Sequence, residues 1–457
     1  LEQSRACFRA VLRDQNFGEL QVGPYQAATF EHLFCSNLAL SNLDLPKRLG
    51  EAFYDYLVVD EVHHGTAESY RALFDQFKPR VLLGLTATPE RMDGKSLLPD
   101  FGGRFAAEIR LPDALEEKLL CPFHYFAVSD PVSLADDRFW VAGKYNALEL
   151  ENVYTGVDFI ARQRVDAILK ALDTYHGNCR EARAVGFCVS VKHADYMARC
   201  FQDEGIPSRA LHGQLGDQER SETVREFREG KFPFLFVVDI FNEGVDIPEI
   251  DTVIFLRPTN SLTVFLQQLG RGLRHAPGKE SLTVIDLVGQ MHRRYRIDRK
   301  FQALLPTRRF RVDREIETDF PHLPAGCSIQ LEKQARQHVL ANIKRHYSNL
   351  QVAVVESLKT FTHDTGQELT FSNFLRETGY EAHQLLAKKT WSQWKAEAGL
   401  EGAATVGEPG GLRYGIARTA VLRAPQFLET VRRFADSGGD VSQFPDREKL
   451  RLHYLLR

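Results

Sequence analysis

Short runs of apolar residues alternate with stretches of helical periodicity between Tyr54 and Leu287. Uninterrupted apolar runs of this length are typical of strands that are buried on both faces of a parallel sheet. The strand-like runs are Tyr56–Val59, Val81–Leu85, Val185–Val189, Phe234–Val238, Val253–Leu256 and Leu282–Leu287. The alternation predicts an α/β fold in which helices cover parallel sheets.

The chain has 457 residues, more than one hydrophobic core usually serves, so we expect several domains. A fresh series of strands and helices begins after a strand-like segment at 119–130 and a helical segment at 158–175. After about Phe320 the strand signal fades and helical periodicity takes over. We therefore predict a first lobe at 1–115, a connecting segment at 116–160, a second lobe at 161–320 and a mainly helical C-terminal domain at 321–457.

The formal net charge is −3, which gives no overall attraction to phosphate backbones, so any nucleic-acid surface must be local. No apolar run has the length of a membrane span, and the first residues lack the apolar stretch of a signal peptide. The seven cysteines form no Cys-x-x-Cys pair, which argues against a zinc knuckle and a disulfide framework. We expect reduced thiols in a cytoplasmic protein that has no membrane partner.

An acid pair follows the run Tyr56–Val59, in the sequence Asp60-Glu61-Val62-His63-His64. Ligands of open α/β sheets bind beyond the carboxyl ends of the strands, so these acids should face a site. In a nucleotide hydrolase one carboxylate holds the Mg²⁺ that bridges the phosphates, and a neighbouring carboxylate orients the attacking water. Asp60 and Glu61 fit these roles, although a bare acid pair after a strand is also common as a helix cap or surface feature.

Small hydroxylated residues follow the next run, in Thr86-Ala87-Thr88, and Pro89 comes directly after them. Such residues can hydrogen-bond to an acid pair on the neighbouring strand and so couple its occupancy to another lobe. As an isolated string they could also form an ordinary turn that Pro89 ends. The position of this segment after Asp60 favours the coupling role.

A helix from Ser261 to Arg274 would place Gln267, Arg271 and Arg274 on one face, because they lie at positions i, i+4 and i+7. Arginine suits a phosphate whose charge grows in the transition state, since its donor fork is always charged. The alternative is a surface helix with paired arginines. Two glycines inside this helix cost stability, which a close approach of another backbone or a nucleotide would explain.

Together with the intervening segment 242–248 (Asn-Glu-Gly-Val-Asp-Ile-Pro), these three motifs resemble the ordered motifs of DEAD/DEAH-type helicases of superfamily 2 over residues 1 to about 300. The resemblance implies two RecA-like parallel-sheet lobes, the first incomplete at its N-terminus, and ATP and Mg²⁺ as cofactors. It assigns catalytic roles to Asp60, Glu61, His64, Gln267, Arg271 and Arg274, Mg²⁺ binding to Asp60, nucleotide contact to Gly244 and Asp246, and coupling to Thr86 and Thr88.

The same resemblance nominates contacts to the sugar-phosphate backbone of a nucleic acid, at Thr29, Ser190, His212, Gly213 and Thr259. Such contacts position a strand without reading its sequence. For any single hydroxyl group in this set, a capping or turn role is an equal alternative.

More narrowly, the segments 120–126, 148–155 and 323–327 resemble bacterial helicases that end in a domain of unknown function. Some members of that group begin with a phospholipase-D-like nuclease. This resemblance extends to the C-terminal region, whose own activity the group leaves open.

The Gly-x-x-x-x-Gly-Lys-Ser/Thr loop that holds phosphates does not occur in the sequence. Gly94-Lys95-Ser96 does not supply it, because the residue five positions before Gly94 is Pro89. We expect the natural protein to have an upstream portion with this loop, and the first sheet to have unpaired edges without it. A chain that truly began at Leu1 should not hydrolyse ATP.

The predicted function is that of an ATP-dependent helicase or translocase, with hydrolysis between the two lobes, acting on DNA in preference to RNA in repair or defence. One alternative is a double-strand translocase that never separates strands. Another is a non-catalytic scaffold that only binds nucleic acid; the retained acid pair and arginines argue against it.

Two further segments leave alternatives open. Nine basic residues and only two acidic ones lie between Gln290 and Arg314, either as a phosphate-binding surface or as a solvated face. Trp391 and Trp394 either pack in a helical core or belong to a helix-turn-helix-like unit that grips DNA, and core packing is the commoner use of such a pair.

Overall fold

The computed structural model describes residues 1–23, 25–36, 39, 45–62, 74, 77–86, 101–102, 105–141, 143–156, 158–238, 247–259, 261–306, 310–348, 350–365, 368–378, 380, 382–386, 388–400, 433 and 445. The chain divides into two compact units. The first unit comprises Leu1–Ala106 and Thr365–Gln367, and the second comprises Ala107–Asp364 and Glu368–Arg457. No described helix combines the length and the apolar character that a membrane crossing requires.

The first unit contains two small parallel sheets. Its elements are α1 (Glu2–Leu12), β1 (Glu19–Gln21), β2 (Leu33–Cys35), α2 (Leu45–Leu49), β3 (Tyr56–Val59) and β4 (Val81–Gly84). Strand β1 pairs with β2, and β3 pairs with β4 in a register that joins Tyr56 to Val81 and Val59 to Gly84. The β3–β4 pair exposes apolar side chains, since Tyr56 is 70% exposed.

The second unit is built on one large sheet. Up to its last sheet strand it contains α3 (Leu111–Glu116), β5 (Phe123–Ser129), β6 (Trp140–Val141), β7 (Lys144–Tyr145), α4 (Ala147–Thr155), α5 (Asp158–Tyr175), β8 (Ala184–Phe187), α6 (Val191–Asp203), β9 (Ser208–Leu211), α7 (Asp217–Arg228), β10 (Phe234–Val237), β11 (Thr252–Phe255), α8 (Leu262–Gly272), β12 (Leu282–Val288), α9 (Ile297–Leu304), α10 (Val312–Glu317) and β13 (Ser328–Leu331). A short 3₁₀ helix, Asp137–Phe139, precedes the hairpin β6–β7.

Seven strands form this sheet in the order β13-β5-β12-β11-β8-β10-β9, and every neighbouring pair is parallel. Parallel pairing requires crossover connections, which the helices between the strands provide. The predicted α/β class with a parallel sheet is confirmed. All seven carboxyl ends consequently lie along one edge of the sheet.

Side chains alternate between the two faces of the sheet, as strand geometry requires, and each face has its own core. Tyr125, Phe187 and Phe255 lie on one face, which α8, α9 and α10 cover. Phe126, Phe236 and Ile254 lie on the other, against α5 and α6. Because both faces are buried, these strands read as continuous apolar runs in the sequence.

Two segments that we assigned to other parts of the chain belong to this sheet. Strand β5 lies in the predicted connecting segment 116–160, yet it pairs with β12 along seven residues, from Phe123 to Ser129. Strand β13 lies in the predicted C-terminal domain, yet it pairs with the opposite edge of β5. Hydrogen bonds between backbones place both strands in the large sheet. A four-residue strand such as β13 has no distinct signal in the sequence.

The helices after β13 are α11 (Lys333–Ser348), α12 (Leu350–Thr365), α13 (Phe371–Thr378), α14 (Ala382–Leu386) and α15 (Trp391–Glu397). Helix α11 packs on the sheet through Val339 and Ile343. The four helices that follow share a separate small core with Phe374 and Trp394. Trp394 is fully buried and donates its indole N–H to Leu385 O at 3.1 Å, so the expected core role is confirmed.

A buried ion pair ties three elements of the second unit together. Arg164 on α5 bonds both carboxylate oxygens of Asp130, at 3.0 and 3.1 Å, just after β5. The same guanidinium donates to Leu256 O at 2.9 Å, beyond β11, and lies over the ring of Tyr154. The charge of Arg164 is thus neutralised by Asp130, and its N–H groups have acceptors inside the fold, as a buried arginine requires.

The two glycines of α8 have different surroundings. A Cβ atom added at Gly272 would lie 2.3 Å from Cδ1 of the buried Leu282, whereas nothing lies within 4 Å of the corresponding position at Gly270. The close approach that we expected therefore exists at Gly272, and its partner is an apolar side chain of β12.

We expect Gly272→Ala and Gly270→Ala to change stability in opposite directions. Alanine raises helix propensity by about 1 kcal/mol at either site. At Gly272 overpacking against Leu282 should cost about 2 kcal/mol and leave a net loss of about 1 kcal/mol. Urea unfolding of the two matched variants measures both effects. Equal stabilisation by the two substitutions would contradict the packing argument.

Candidate functional site

The acid pair and the first coupling threonine lie side by side in the first unit. The pairing of β3 with β4 continues past both strands, because Leu85 N donates to Val59 O at 2.8 Å and Val62 N donates to Leu85 O at 3.1 Å. Asp60 and Glu61 therefore stand at the end of one strand and Thr86 at the end of its neighbour. This is the adjacency that the sequence spacing predicts.

Glu61 has a left-handed backbone, with a φ of 49°. A non-glycine residue in this region carries backbone strain of the order of 1–3 kcal/mol, and such residues cluster at functional sites. The amide of Glu61 donates to Asp60 Oδ1 at 3.0 Å, and the Asp60 side chain is exposed. The local geometry thus turns the chain sharply and keeps the Asp60 carboxylate accessible.

The donor set fits a magnesium ion of the kind that nucleotide hydrolases use. Among the described residues no group of three or more His, Cys, Asp or Glu side chains could hold a metal ion by itself. Mg²⁺ usually takes one or two carboxylates and completes its shell with water and substrate phosphates. An exposed carboxylate such as Asp60 suits that arrangement.

The Thr29 segment is organised by one carboxylate of β1. Glu19 accepts the amides of Ala28, Thr29 and Phe30 at 2.9 to 3.1 Å, and the Thr29 hydroxyl at 2.9 Å. These hydrogen bonds, led by that of Ala28, lower the pKa of Glu19 to about 2. The Thr29 hydroxyl therefore has a structural partner and keeps only its acceptor capacity for a ligand.

In the second unit, Ser190, His212, Gly213 and Thr259 all follow sheet strands and lie along its carboxyl edge. Ser190 caps α6 by accepting His193 N at 3.2 Å. His212 comes directly after β9, and its Nε2 lies 3.5 Å from Asp195 Oδ1 on α6. The structure thus brings the ends of β8 and β9 together around the start of α6.

Among the described residues, the polar atoms that are buried without a hydrogen-bond partner include His212 Nδ1 and Thr259 Oγ1, both on this edge. The residues are 7% and 6% exposed. Buried polar groups are nearly always hydrogen-bonded, so exceptions need an explanation such as an absent ligand or water. The Thr259 backbone, in contrast, is fixed, since its carbonyl accepts the Tyr295 hydroxyl at 3.1 Å.

Gln267 and Arg271 lie on α8, and Arg274 follows its end. Ser261 caps the helix by accepting Val264 N at 3.3 Å. All three side chains are half-buried. The helix end is tied to the start of β5, because Cys121 N donates to Leu273 O at 2.8 Å.

The basic segment between Gln290 and Arg314 is less available to a ligand than its composition suggests. Lys300 is buried against Asp286 at 2.6 Å, and the guanidinium groups of Arg296 and Arg311 form two-bond pairs with Asp298 and Asp313. Arg293 pairs with Asp137 at 3.3 Å. Arg294 and Arg314 are exposed, and the described residues offer their guanidinium groups no hydrogen bond or ion pair.

Several predicted site residues lie outside the described part of the chain: His64, Thr88, Gly244, Asp246, Arg308 and Arg309. The assignments of the first four rest on the sequence resemblance alone, and those of Arg308 and Arg309 rest on the charge of the basic segment.

Comparison with known proteins gives the same picture as the motifs. The family model described as the type III restriction enzyme res subunit matches residues 1–91, and the helicase conserved C-terminal domain matches residues 163–276. IRC3 of Saccharomyces cerevisiae, named as an ATP-dependent helicase, is 28% identical over 242 residues, which cover 51% of this chain and 34% of IRC3. The DNA 3'-5' translocase XPB2 of Sulfurisphaera tokodaii is 26% identical over 291 residues, which cover 56% of this chain and 63% of XPB2.

Together these matches support a superfamily-2 helicase, over residues 1–91 and 163–276. The chain spans between a third and a half of the length of IRC3 and of two other curated relatives. Among solved structures, a fragment described as the HsdR subunit of a type I restriction enzyme from Vibrio vulnificus YJ016 matches with a TM-score of 0.50 and 20% identity, covering 71% of this chain and 56% of that chain. That likeness supports the α/β fold.

The sequence analysis did not identify the buried residues that hold the backbone around Thr259 in place. Arg164 and Asp130 hold the backbone just before Thr259, and Tyr295 holds Thr259 itself. They lie 34 to 165 residues apart from one another in the chain. No local sequence pattern links residues so far apart. Their contacts could have been predicted only from the order of the strands in the sheet.

Glu19 should hold the Thr29 segment in a pH-dependent way. Its folded pKa of about 2 lies below the usual 4.5, so its contribution is complete above pH 4.5 and is lost as the pH falls towards 2. We expect the NMR shifts of the amides of residues 28–30 to move over that range, and Glu19→Gln to show the acid-state shifts at neutral pH. Glu31→Gln, at a nearby exposed carboxylate, serves as the control. Unchanged amide shifts in Glu19→Gln would contradict the assignment.

Proposed function

We propose that the natural protein is an ATP-driven motor that moves on nucleic acid, DNA in preference to RNA. The observation that supports this most is the placement of Asp60 and Thr86 at neighbouring strand ends in the first unit, next to the strained Glu61. The second unit supplies the arginines of α8 and a strand-end surface with unpartnered polar atoms. Each unit thus contributes the side chains that one part of the reaction needs.

In this proposal Asp60 holds Mg²⁺, which neutralises charge on the phosphates when bound. Glu61 orients the attacking water. Arg271 and Arg274 stabilise the charge that grows on the transferred phosphoryl group, because a guanidinium stays protonated and can donate two parallel bonds. Gly244 and Asp246 contact the nucleotide, and Thr86 and Thr88 couple its state to movement. Gln267 shares the helix face of the arginines, and His64 completes the acid motif.

The nucleic-acid contacts proposed for the second unit are Ser190, His212, Gly213 and Thr259. A phosphate oxygen or sugar hydroxyl placed against His212 Nδ1, and a separate one placed against Thr259 Oγ1, would satisfy these two buried atoms. Thr29 is the proposed contact in the first unit. Because these groups meet the backbone of the strand, the motor would bind without sequence preference.

The preference for DNA draws on the name of XPB2, a DNA translocase, and a role in repair or defence draws on the family resemblance. A second candidate is a double-strand translocase that leaves the strands paired, since XPB2 is named as a translocase. Displacement of a labelled strand from a forked duplex, together with displacement of a third strand from a triplex, separates the two. Triplex displacement without fork opening would select the translocase, and neither activity despite nucleic-acid binding would select a scaffold.

Arg271→Ala and Arg274→Ala, made in the natural protein, should each abolish nucleic-acid-stimulated ATP hydrolysis. Loss of such an arginine typically costs about 10³ to 10⁵ in rate, since the developing charge loses its partner. Nucleotide-free affinity for a single strand should stay within about threefold, because the proposed strand contacts are elsewhere. Arg225→Ala, which removes an exposed arginine paired with Glu222, is the control. Near wild-type turnover by both variants would refute the proposed site.

Among the described residues of the basic segment, Arg294 and Arg314 should contribute to affinity. Each phosphate contact that is lost lowers the slope of log affinity against log salt by about 0.9, so the double alanine variant should lose about 1.8. Arg296→Ala should change the slope much less, because that guanidinium is already paired with Asp298. Filter binding of a duplex at several salt concentrations tests this. An unchanged slope in the double variant would identify the segment as a solvated face.

A further inference from the structure

Lys279 makes three hydrogen bonds to backbone carbonyl groups around the end of α8. Its ammonium donates to Gly272 O at 2.5 Å, Arg274 O at 2.8 Å and Pro248 O at 3.1 Å. An ammonium has three donors, so all of them are used.

The local sequence explains why the lysine returns to the helix end. Pro277 and Gly278 occupy the middle of a turn in which Lys279 N donates to Ala276 O at 3.1 Å. Gly278 has a φ of 78°, and proline followed by a glycine of positive φ is the signature of a type II turn. The turn brings Lys279 back beneath the carbonyl groups that α8 leaves unpaired at its C-terminus, where a cation is favoured.

The three carbonyl groups belong to two segments with proposed roles at the nucleotide. Gly272 ends the helix that bears Arg271, and Arg274 is itself one of the two arginines. Pro248 ends the segment 242–248, which contains Gly244 and Asp246. One side chain therefore joins the end of the nucleotide-contact segment to the end of the arginine helix.

We propose that Lys279 is a positioning residue for ATP hydrolysis, which it serves by fixing these two segments relative to each other; the proposal rests on the proposed motor function. Misplacement of a reacting group by about 1 Å can cost about 100-fold in rate. Lys279 is half-buried, and desolvation lowers its pKa, in keeping with a cation held by neutral carbonyl groups.

The fold has other anchors at this helix end, so removal of the ammonium should leave a folded protein. Cys121 Sγ also contacts Gly272 O, at 3.6 Å, and Cys121 N holds Leu273 O. Lys279 joins the carbonyl groups of Arg274 and Pro248 directly, since it donates to both. The expected defect is thus one of position.

The test uses Lys279→Met and Lys279→Arg in the natural full-length protein. We expect Lys279→Met to lower kcat for stimulated ATP hydrolysis by about 10- to 100-fold, while KM for ATP and nucleotide-free affinity for a single strand change less than threefold. Lys279→Arg, which keeps the charge and several donors, should recover part of kcat. Lys231→Met, at an exposed lysine that pairs with Glu226 and Glu229, should behave as wild type.

A second readout needs no hydrolysis. Hydrogen exchange without nucleotide should become faster in Lys279→Met at the amides of Ile250 and Leu273, which close the turns next to the two joined segments. If the wild-type protein fails to hydrolyse ATP, the motor proposal fails, and faster exchange at both amides still supports the link. If wild type is active and Lys279→Met keeps its kcat, the positioning role is refuted.

Loss of kcat together with a large fall in Tm, without recovery in Lys279→Arg, would identify Lys279 as a general structural residue and overturn the proposal. Should Lys279→Met not fold, Lys279→Gln, which keeps an amide donor, decides the matter. A folded Lys279→Gln with reduced kcat and unchanged KM supports positioning, and failure of both variants to fold overturns it.

Discussion

The parallel direction of the seven strands is the constraint on which the second unit depends. Because every strand runs the same way, its carboxyl end lies at the same edge, and the residues that follow β5, β8, β9, β11 and β12 meet there. Covering both faces with helices leaves that edge as the place where polar side chains can face a ligand. The proposed nucleic-acid contacts are a consequence of this geometry.

Polar interactions inside the fold then set the edge in place. The Arg164–Asp130 pair reaches the backbone after β11, and Tyr295 holds the carbonyl of Thr259. On the neighbouring strand, buried Asp286 binds Lys300 and accepts the Tyr125 hydroxyl. Groups like these lose hydration on burial, so they are tolerated only when each donor meets an acceptor. These hydrogen bonds hold the backbone in place at the carboxyl edge of the sheet.

Some basic side chains of this chain form internal ion pairs, and others remain exposed to solvent. The amino-acid composition does not distinguish the two groups. The segment from Gln290 to Arg314 looks uniformly basic, yet Lys300 is buried and Arg296 and Arg311 are paired locally. Among the described residues of the segment, Arg294 and Arg314 are exposed and remain for long-range attraction to phosphate. In a chain with a net charge of −3, such local differences decide where a nucleic acid can bind.

The sequence by itself determined the α/β class, six of the strands and the adjacency of Asp60 to Thr86, since apolar runs and strand-end motifs are local signals. It also determined the order of the helicase motifs. The tertiary structure alone decided that β5 and β13 join the large sheet, that Gly272 faces Leu282, and that Lys279 links Pro248 to Arg274. These facts depend on backbone pairing and on contacts between residues far apart in the chain, and neither leaves a pattern in the local sequence.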